Sequence, residues 1–212
     1  MYFDEIAAKW DDDRRCERAR ILSEEIKRAW NGKPEAVLDF GCGTGLLTYA
    51  LSSCATELYG YDTSAEMQKV FLLKQKKYGL DHVHLVTDEE RKQMTFDVIF
   101  SSMVLHHIED VKAKIMDLKR SLVPDGIFVW IDLDEEDGTF HKGEFDFHGH
   151  NGFAREEVKN MLQGCGFYDV SIKTVYQGEK MSEGKPVAYS LFLAVARENA
   201  EITDNIGPEG VR

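Results

Sequence analysis

The sequence predicts an α/β fold built on a parallel sheet, and three observations carry the prediction. Short apolar runs alternate with longer helix-periodic stretches over residues 36–131. A glycine-rich turn follows the first of those runs and opens a helical pattern. The composition, 43% hydrophobic and 30% charged over 212 residues, is that of a folded chain with one sizeable core.

Ahead of the alternation, Ala19, Leu22, Ile26 and Trp30 recur at helical spacing among charges, and Asn31-Gly32 ends the pattern before Pro34. The alternation then reads as strand 36–40, helix 45–52, strand 57–61, helix 64–77 and strand 82–86. Phe96 to Ser101 forms a fourth strand. Val111, Ile115, Leu118 and Leu122 make one helix face, and Ile127 to Ile131 a fifth strand after the Pro124-Asp125-Gly126 turn. Periodicity lapses between Asp132 and Gly152, a connection longer than the few residues typical of such joins. Val158, Met161, Leu162 and Cys165 give a further helical stripe, and apolar stretches near 167–176 and 187–196 flank a Gly178-to-Pro186 link that reads as a closing hairpin. Residues 198–212 are polar and aperiodic and read as a flexible tail after a single domain over 1–197.

Several function classes are disfavoured. A net charge of −12 repels nucleic-acid phosphates and anionic lipid. The longest uncharged run, Phe40 to Thr56, is interrupted by Gly, Ser and Thr and falls short of the ~20 apolar residues of a bilayer span. The opening residues MYFDEIAAKWDDD carry acids where a secretory signal carries a basic start. Cys16, Cys42, Cys54 and Cys165 are widely spaced without a C-x-x-C pair, which fits reduced thiols in a cytoplasmic protein. Oligomeric state has no signature here.

The chemistry concentrates in Val37-Leu38-Asp39-Phe40-Gly41-Cys42-Gly43-Thr44-Gly45. Glycines admit a ligand close to the backbone, and in an open parallel sheet that ligand lies beyond the carboxyl ends of the strands. A dinucleotide fingerprint wants G-x-G-x-x-G, whereas glycines fall here at 41, 43 and 45 with Leu46 in the last expected place. Asp39, two residues before the first glycine, repels a pyrophosphate but attracts a ligand carrying an ammonium and a sulfonium, as S-adenosylmethionine does. Asp62 ends the second strand about 20 residues on, where a carboxylate accepts from ribose hydroxyls. Thr63 with Glu66 fits a capping box, and Met67 suits either the core or an adenine or ribose face.

Together VLDFGCGTG, YGYDTSAEM, FDVIFSSMVLHHIED and SLVPDGIFVWIDL resemble successive motifs of class I S-adenosylmethionine-dependent methyltransferases, across roughly residues 35–135. The likeness is greatest to the small-molecule branch that includes ubiquinone-biosynthesis enzymes. It implies a Rossmann-like three-layer sandwich whose seven-stranded sheet is mostly parallel with one antiparallel strand. By matching position it implies Asp39, Gly41, Cys42, Gly43 and Gly45 around the methionyl part, Asp62 at the ribose, and Ser101 at the methionyl side again. Asp88 or Glu89 is implied at the adenine amino group. S-adenosylhomocysteine is the implied product and a small molecule the implied acceptor. Residues 1–33 become a helical lid or, through Tyr2, Phe3 and Trp10, an aromatic staple. Residues 133–152 become a long loop over the active site.

Transfer from a sulfonium is an in-line displacement from an activated leaving group, so alignment supplies much of the catalysis. A hydroxyl or protonated amine also needs a base, and His106 and His107 follow the fourth strand at the edge where substrate and cofactor meet, with His106 slightly favoured. The Asp-Pro-Pro-Tyr motif of nucleic-acid N-methyltransferases is replaced by Ser101-Ser102-Met103-Val104, against a base as acceptor. His141, His148 and His150 lie in the long loop; His148-x-His150 shares a face if extended, but without ordered ligand spacing no metal is expected. Phe140, Phe145, Phe147 and Phe153 serve either as pocket wall or as loop anchors. Residues 132–146 hold seven acids against Lys142, a concentration that disfavours anionic acceptors. The competing function is a catalytically silent S-adenosylmethionine-binding module supporting a partner protein.

Overall fold

The computed structural model describes residues 2–30, 32–142 and 147–199. The expected tail from residue 200 onward, and Glu144, Phe145 and Asp146 of the long loop, lie outside them. Seven strands form one sheet in the order β3-β2-β1-β4-β5-β7-β6. They are β1 (Ala36–Phe40), β2 (Glu57–Tyr61), β3 (Val83–Leu85), β4 (Phe96–Ser102), β5 (Leu122–Leu133), β6 (Phe167–Ser182) and β7 (Lys185–Glu198). Neighbouring pairs from β3 to β5 are parallel, while β7 runs antiparallel to both β5 and β6. The chain winds outward from β1 to β3, then returns to place β4 on the other side of β1. That reversal opens a crevice at the carboxyl ends of β1 and β4.

Among the described residues seven α-helices accompany the sheet: α1 (Tyr2–Ile6), α2 (Asp13–Ala29), α3 (Leu46–Ala50), α4 (Ala65–Tyr78), α5 (Asp88–Lys92), α6 (Val111–Lys119) and α7 (Arg155–Gly164). On one face of the sheet Leu22 and Ile26 of α2 and Phe71 of α4 pack with Val37, Val98 and Val129. On the other, Val111, Ile115 and Leu118 of α6 and Val158 and Leu162 of α7 pack with Leu38, Ile99 and Phe128. Successive strand side chains point to opposite faces, and both faces are covered, so the inner strands read as continuous apolar runs. The result is three layers.

The structure refines four local features. Leu122, expected on the face of α6, begins β5 opposite Phe96, because the helix ends at Lys119. The Gly178-to-Pro186 link is mostly strand. Ser182 pairs with Lys185 across a two-residue turn, Glu183-Gly184, with φ of 46° and 77°, the positive pair that suits the twist of a hairpin. α5 was not foreseen; Thr87 and Glu90 form its capping box. Ser64, not Thr63, caps α4, its hydroxyl accepting from Met67 N–H, because Asp62 Oδ1 takes the Ser64 N–H and delays the helix by one residue.

Candidate active site

The crevice continues into a cavity of about 520 Å³. Its floor is the turn after β1. Gly41 and Cys42 N–H groups both donate to the Tyr61 carbonyl, at 2.7 and 2.9 Å, which ties the turn to the end of β2. Gly41 has φ 80°, and a Cβ there would lie 2.3 Å from Val104 Cγ2, so close approach as well as conformation requires glycine. Gly41, Cys42, Gly43, Asp62, Thr63 and Met67 line one wall, with Asp39 at the base. Met67 is buried and also part of that wall.

Four expected residues stand elsewhere. Gly45 faces Tyr49 and Phe71 and begins α3. The Ser101 hydroxyl donates to the Phe40 carbonyl at 3.0 Å on the α6 side, and Ser102, one residue on, faces the cavity. Asp88 ion-pairs with Arg91 and Lys92 and Glu89 is exposed; neither lines the cavity. Arg91, fully buried, explains the Asp88 placement: it is held by Asp88 and by Asp117 at 2.7 Å, with its guanidinium over the rings of Phe40 and Tyr61.

The acids of this wall are strained electrostatically. Burial pushes the Asp39 carboxyl from its ordinary 3.8 up to about 7, against the Thr48 hydroxyl that donates to it at 2.6 Å. Burial also raises Asp62, opposed by the N–H groups of Ser64 and Gly43, at 2.8 and 2.7 Å. A cation bound here would relieve both.

Over this wall lies the start of the chain. Ser64 Oγ donates to Asp4 at 2.6 Å, Thr44 Oγ1 donates to Asp11 at 2.5 Å, and Lys74 ion-pairs with Asp11 at 2.5 Å. These contacts bring Tyr2, Phe3 and Trp10 into the cavity lining. Lys180 and Met181, near the tip of the β6–β7 hairpin, close the far rim.

The opposite end is aromatic and basic. Met103 follows β4 with a left-handed φ of 60°, turning the chain so that the tight helical turn Leu105–His107 carries His106 and His107 over the cavity. Asp132, at the end of β5, is fully buried and accepts from His106 Nδ1, from the His106 N–H at 3.2 Å, from Trp130 Nε1 at 3.1 Å and from the Leu133 N–H at 3.0 Å. Burial acts to raise its carboxyl, but the imidazole and the donors overcome it and hold it below the usual carboxylate range. An ionised Asp132 accepts from Nδ1–H of His106, and Nε2, the other ring nitrogen, is buried without a hydrogen-bond partner.

His141 joins this group, which spacing along the chain could not have shown. Its ring stacks on Phe147 at 3.7 Å and lies 4.9 Å from His106, while the His106 and His107 rings are 4.0 Å apart. Burial lowers His107 to about 3 and His141 to about 2. His150 is excluded from the group: its Nε2 lies 3.0 Å from the Ile108 carbonyl and its N–H donates to the His106 carbonyl, which latches the loop over the histidine turn. Of the loop aromatics, Phe140 lines the cavity and Phe153 packs on Trp130.

Comparison with known proteins settles the family. A methyltransferase-domain family matches residues 14–172. The chain belongs to the S-adenosylmethionine-dependent methyltransferases. This methyltransferase is 25% identical over 182 residues to an uncharacterized methyltransferase of Schizosaccharomyces pombe, covering 77% of this chain and 64% of that protein. It is 31% identical over 157 residues to the ubiquinone biosynthesis O-methyltransferase of Histophilus somni, covering 70% and 63%. The chain thus spans less than two thirds of the length of these relatives. A S-adenosylmethionine-dependent methyltransferase from Aquifex aeolicus has the same fold, with a TM-score of 0.65 at 22% identity over 92% of this chain and 97% of that one. Structures of the same fold, at 16% and 20% identity, hold S-adenosyl-L-methionine or S-adenosylhomocysteine, and the cofactor of the family is S-adenosylmethionine. Asp39, Gly41, Gly43 and Asp62 fit it: a buried and a half-buried carboxyl, both held above their ordinary range, line the wall where a ligand with an ammonium and a sulfonium would lie.

Proposed function

We propose that the protein transfers a methyl group from S-adenosylmethionine to a small organic acceptor by in-line displacement. The observation that carries this reading is the continuity of one cavity from Gly41, Gly43 and Asp62 at one end to His106 and His107 at the other. Asp39 and the glycine turn receive the methionyl part and Asp62 the ribose hydroxyls, so the sulfonium methyl points toward the histidines. A volume of about 520 Å³ shared by cofactor and acceptor favours a compact acceptor. The nucleophile attacks the methyl carbon opposite sulfur, the C–S bond breaks with its electron pair staying on sulfur, and S-adenosylhomocysteine leaves. A hydroxyl, thiol or amine acceptor gives up its proton at the histidine end.

The segment ahead of α2 and the described residues of the 133–152 loop act as covers that exclude water during transfer. The charge of −12 speaks against nucleic acid as acceptor. Among the described residues no helix is long and apolar enough to cross a membrane. The four cysteines are free, which supports a cytoplasmic setting. An acceptor library assayed for S-adenosylhomocysteine release tests the proposal. Release with at least one hydroxyl, thiol or amine compound is expected; tight cofactor binding without release from any acceptor would mark a silent binding module instead.

A further inference from the structure

We propose that His106, His107 and His141 bind one divalent transition-metal ion, zinc foremost, at the acceptor end of the cavity. The inference rests on the methyltransferase reading of that cavity and deepens it by naming the acceptor class: a compound whose oxygen, sulfur or nitrogen ligates such an ion.

The geometry is the first argument. One ring nitrogen from each histidine lies within 4.8 Å of the others. Nitrogens bound tetrahedrally to zinc at 2.0–2.1 Å stand about 3.4 Å apart, so ring rotations of roughly an ångström close the set without moving the backbone. The second argument is unmet hydrogen-bonding capacity. His106 Nε2 and His141 Nδ1 are buried without a partner, in residues that are 1% and 5% exposed. Such groups cost stability and call for an explanation, and one ion between them satisfies both.

The third argument is the shell behind the ligands. A metal-binding histidine commonly donates its other ring N–H to a carboxylate, which fixes its tautomer and raises its basicity. Asp132 does this for His106 and is itself fixed by Trp130 and Leu133. It also supplies a negative charge to offset the ion, against Lys180, whose Nζ sits over the Phe140 ring at 3.8 Å. A purely imidazole set suits zinc, cobalt, nickel or copper rather than magnesium or calcium. Three protein ligands leave a fourth position open toward the cavity, the pattern of catalytic rather than structural sites. The acceptor takes that position, its X–H proton passes to solvent, and the retained pair on X forms the bond to the methyl carbon as C–S breaks. The oxidation state of the ion is unchanged throughout.

The test uses untagged full-length chain stripped by a chelator and titrated with Co²⁺, read by visible absorption and elemental analysis, with Zn²⁺ as competitor. One ion per chain and the intense bands of tetrahedral Co²⁺ are expected. Affinity should fall at least tenfold in His141→Ala and in the gentler His141→Gln, and about 10- to 100-fold in Asp132→Asn. S-adenosylhomocysteine affinity, measured calorimetrically on the same samples, should be unchanged and so report an intact fold. Absence of stoichiometric binding, or binding undiminished by both His141 substitutions, overturns the site. If stripped and loaded enzyme turn over equally, the ion's part in transfer is overturned and His106 becomes a simple base, with the methyltransferase reading intact. Metal bound as expected but no methyl transfer to any ligating acceptor overturns the functional reading and leaves the site standing.

Discussion

Asp132 and His106 form a buried carboxylate–imidazole pair in which Nδ1 of the ring is committed to the carboxylate and Nε2 is left facing the histidine cluster. The two residues come from different strands' ends, 26 positions apart, and meet only because β4 and β5 are neighbours in the sheet. Asp132→Asn keeps the shape but no longer dictates which nitrogen carries the proton. Turnover should fall by about tenfold or more, with S-adenosylhomocysteine affinity held within about twofold. Loss of cofactor affinity in parallel with turnover would show that Asp132 acts only on the fold.

On the proposed function, Asp39 makes cofactor binding depend on pH. Because its folded value is raised from 3.8 to about 7, its contribution to stability is fully present below about pH 4 and is lost as pH rises through about 7. A bound ammonium favours the ionised carboxylate, so S-adenosylhomocysteine binding near pH 6 should release a proton and tighten as the pH is raised toward 8. Calorimetry in two buffers of different ionisation enthalpy measures the proton directly. Asp39→Asn should abolish the release; proton uptake in the wild type contradicts the assignment.

Asp62 has two duties. Its carboxylate accepts from the Gly43 and Ser64 N–H groups, and the proposed function gives it the ribose hydroxyls as well. Asp62→Ala should weaken cofactor binding by at least tenfold, since hydrogen bonds to a charged group are worth about 1.5–3 kcal/mol. Asp62→Asn should lose less. Equal losses in the two variants would assign Asp62 to shaping the turn rather than to the ligand.

Gly149 sits against the histidine turn so tightly that an added Cβ would lie 2.0 Å from the His106 carbonyl oxygen. Gly149→Ala therefore has to lift the loop from the turn it latches. The expected outcome is a fall in turnover of about tenfold with cofactor affinity unchanged, and faster amide exchange at His150, whose N–H donates to that carbonyl.

Arg91 makes a stability prediction away from the chemistry. Removing Asp117 leaves a buried guanidinium with Asp88 as its remaining ion-pair partner, a change that costs roughly 3 kcal/mol. Asp117→Ala should lower the thermal midpoint by several degrees, and calorimetric melting checks it.

The alternation of apolar runs and helical stretches was legible because each inner strand is covered on both faces and each helix buries one stripe. The same property hid the parity of β4: with no polar face to alternate against, nothing in SSMV says that Ser102 rather than Ser101 faces the cavity. α5 lacks an apolar stripe and was signalled only by Thr87 three residues before Glu90, a capping pattern that a charged loop also produces. The spacing 111, 115, 118, 122 continued a helix that had already ended, since Leu122 is as apolar in a strand as on a helix face. His106 and His107 were found by their place after a strand. His141 comes from a loop that folds back, and only the packing of Phe140 and Phe147 on its ring brings it to them.

The roof of the cavity is drawn from the periphery of the fold. Tyr2, Phe3 and Trp10 come from the first turns of the chain, and Lys180 and Met181 from a hairpin reaching past the end of the sheet. On the proposed function, acceptor choice can therefore drift through lengthening, shortening or recolouring these outlying segments while the strand ends assigned to the methyl donor stay as they are, which lets one scaffold serve different methylations.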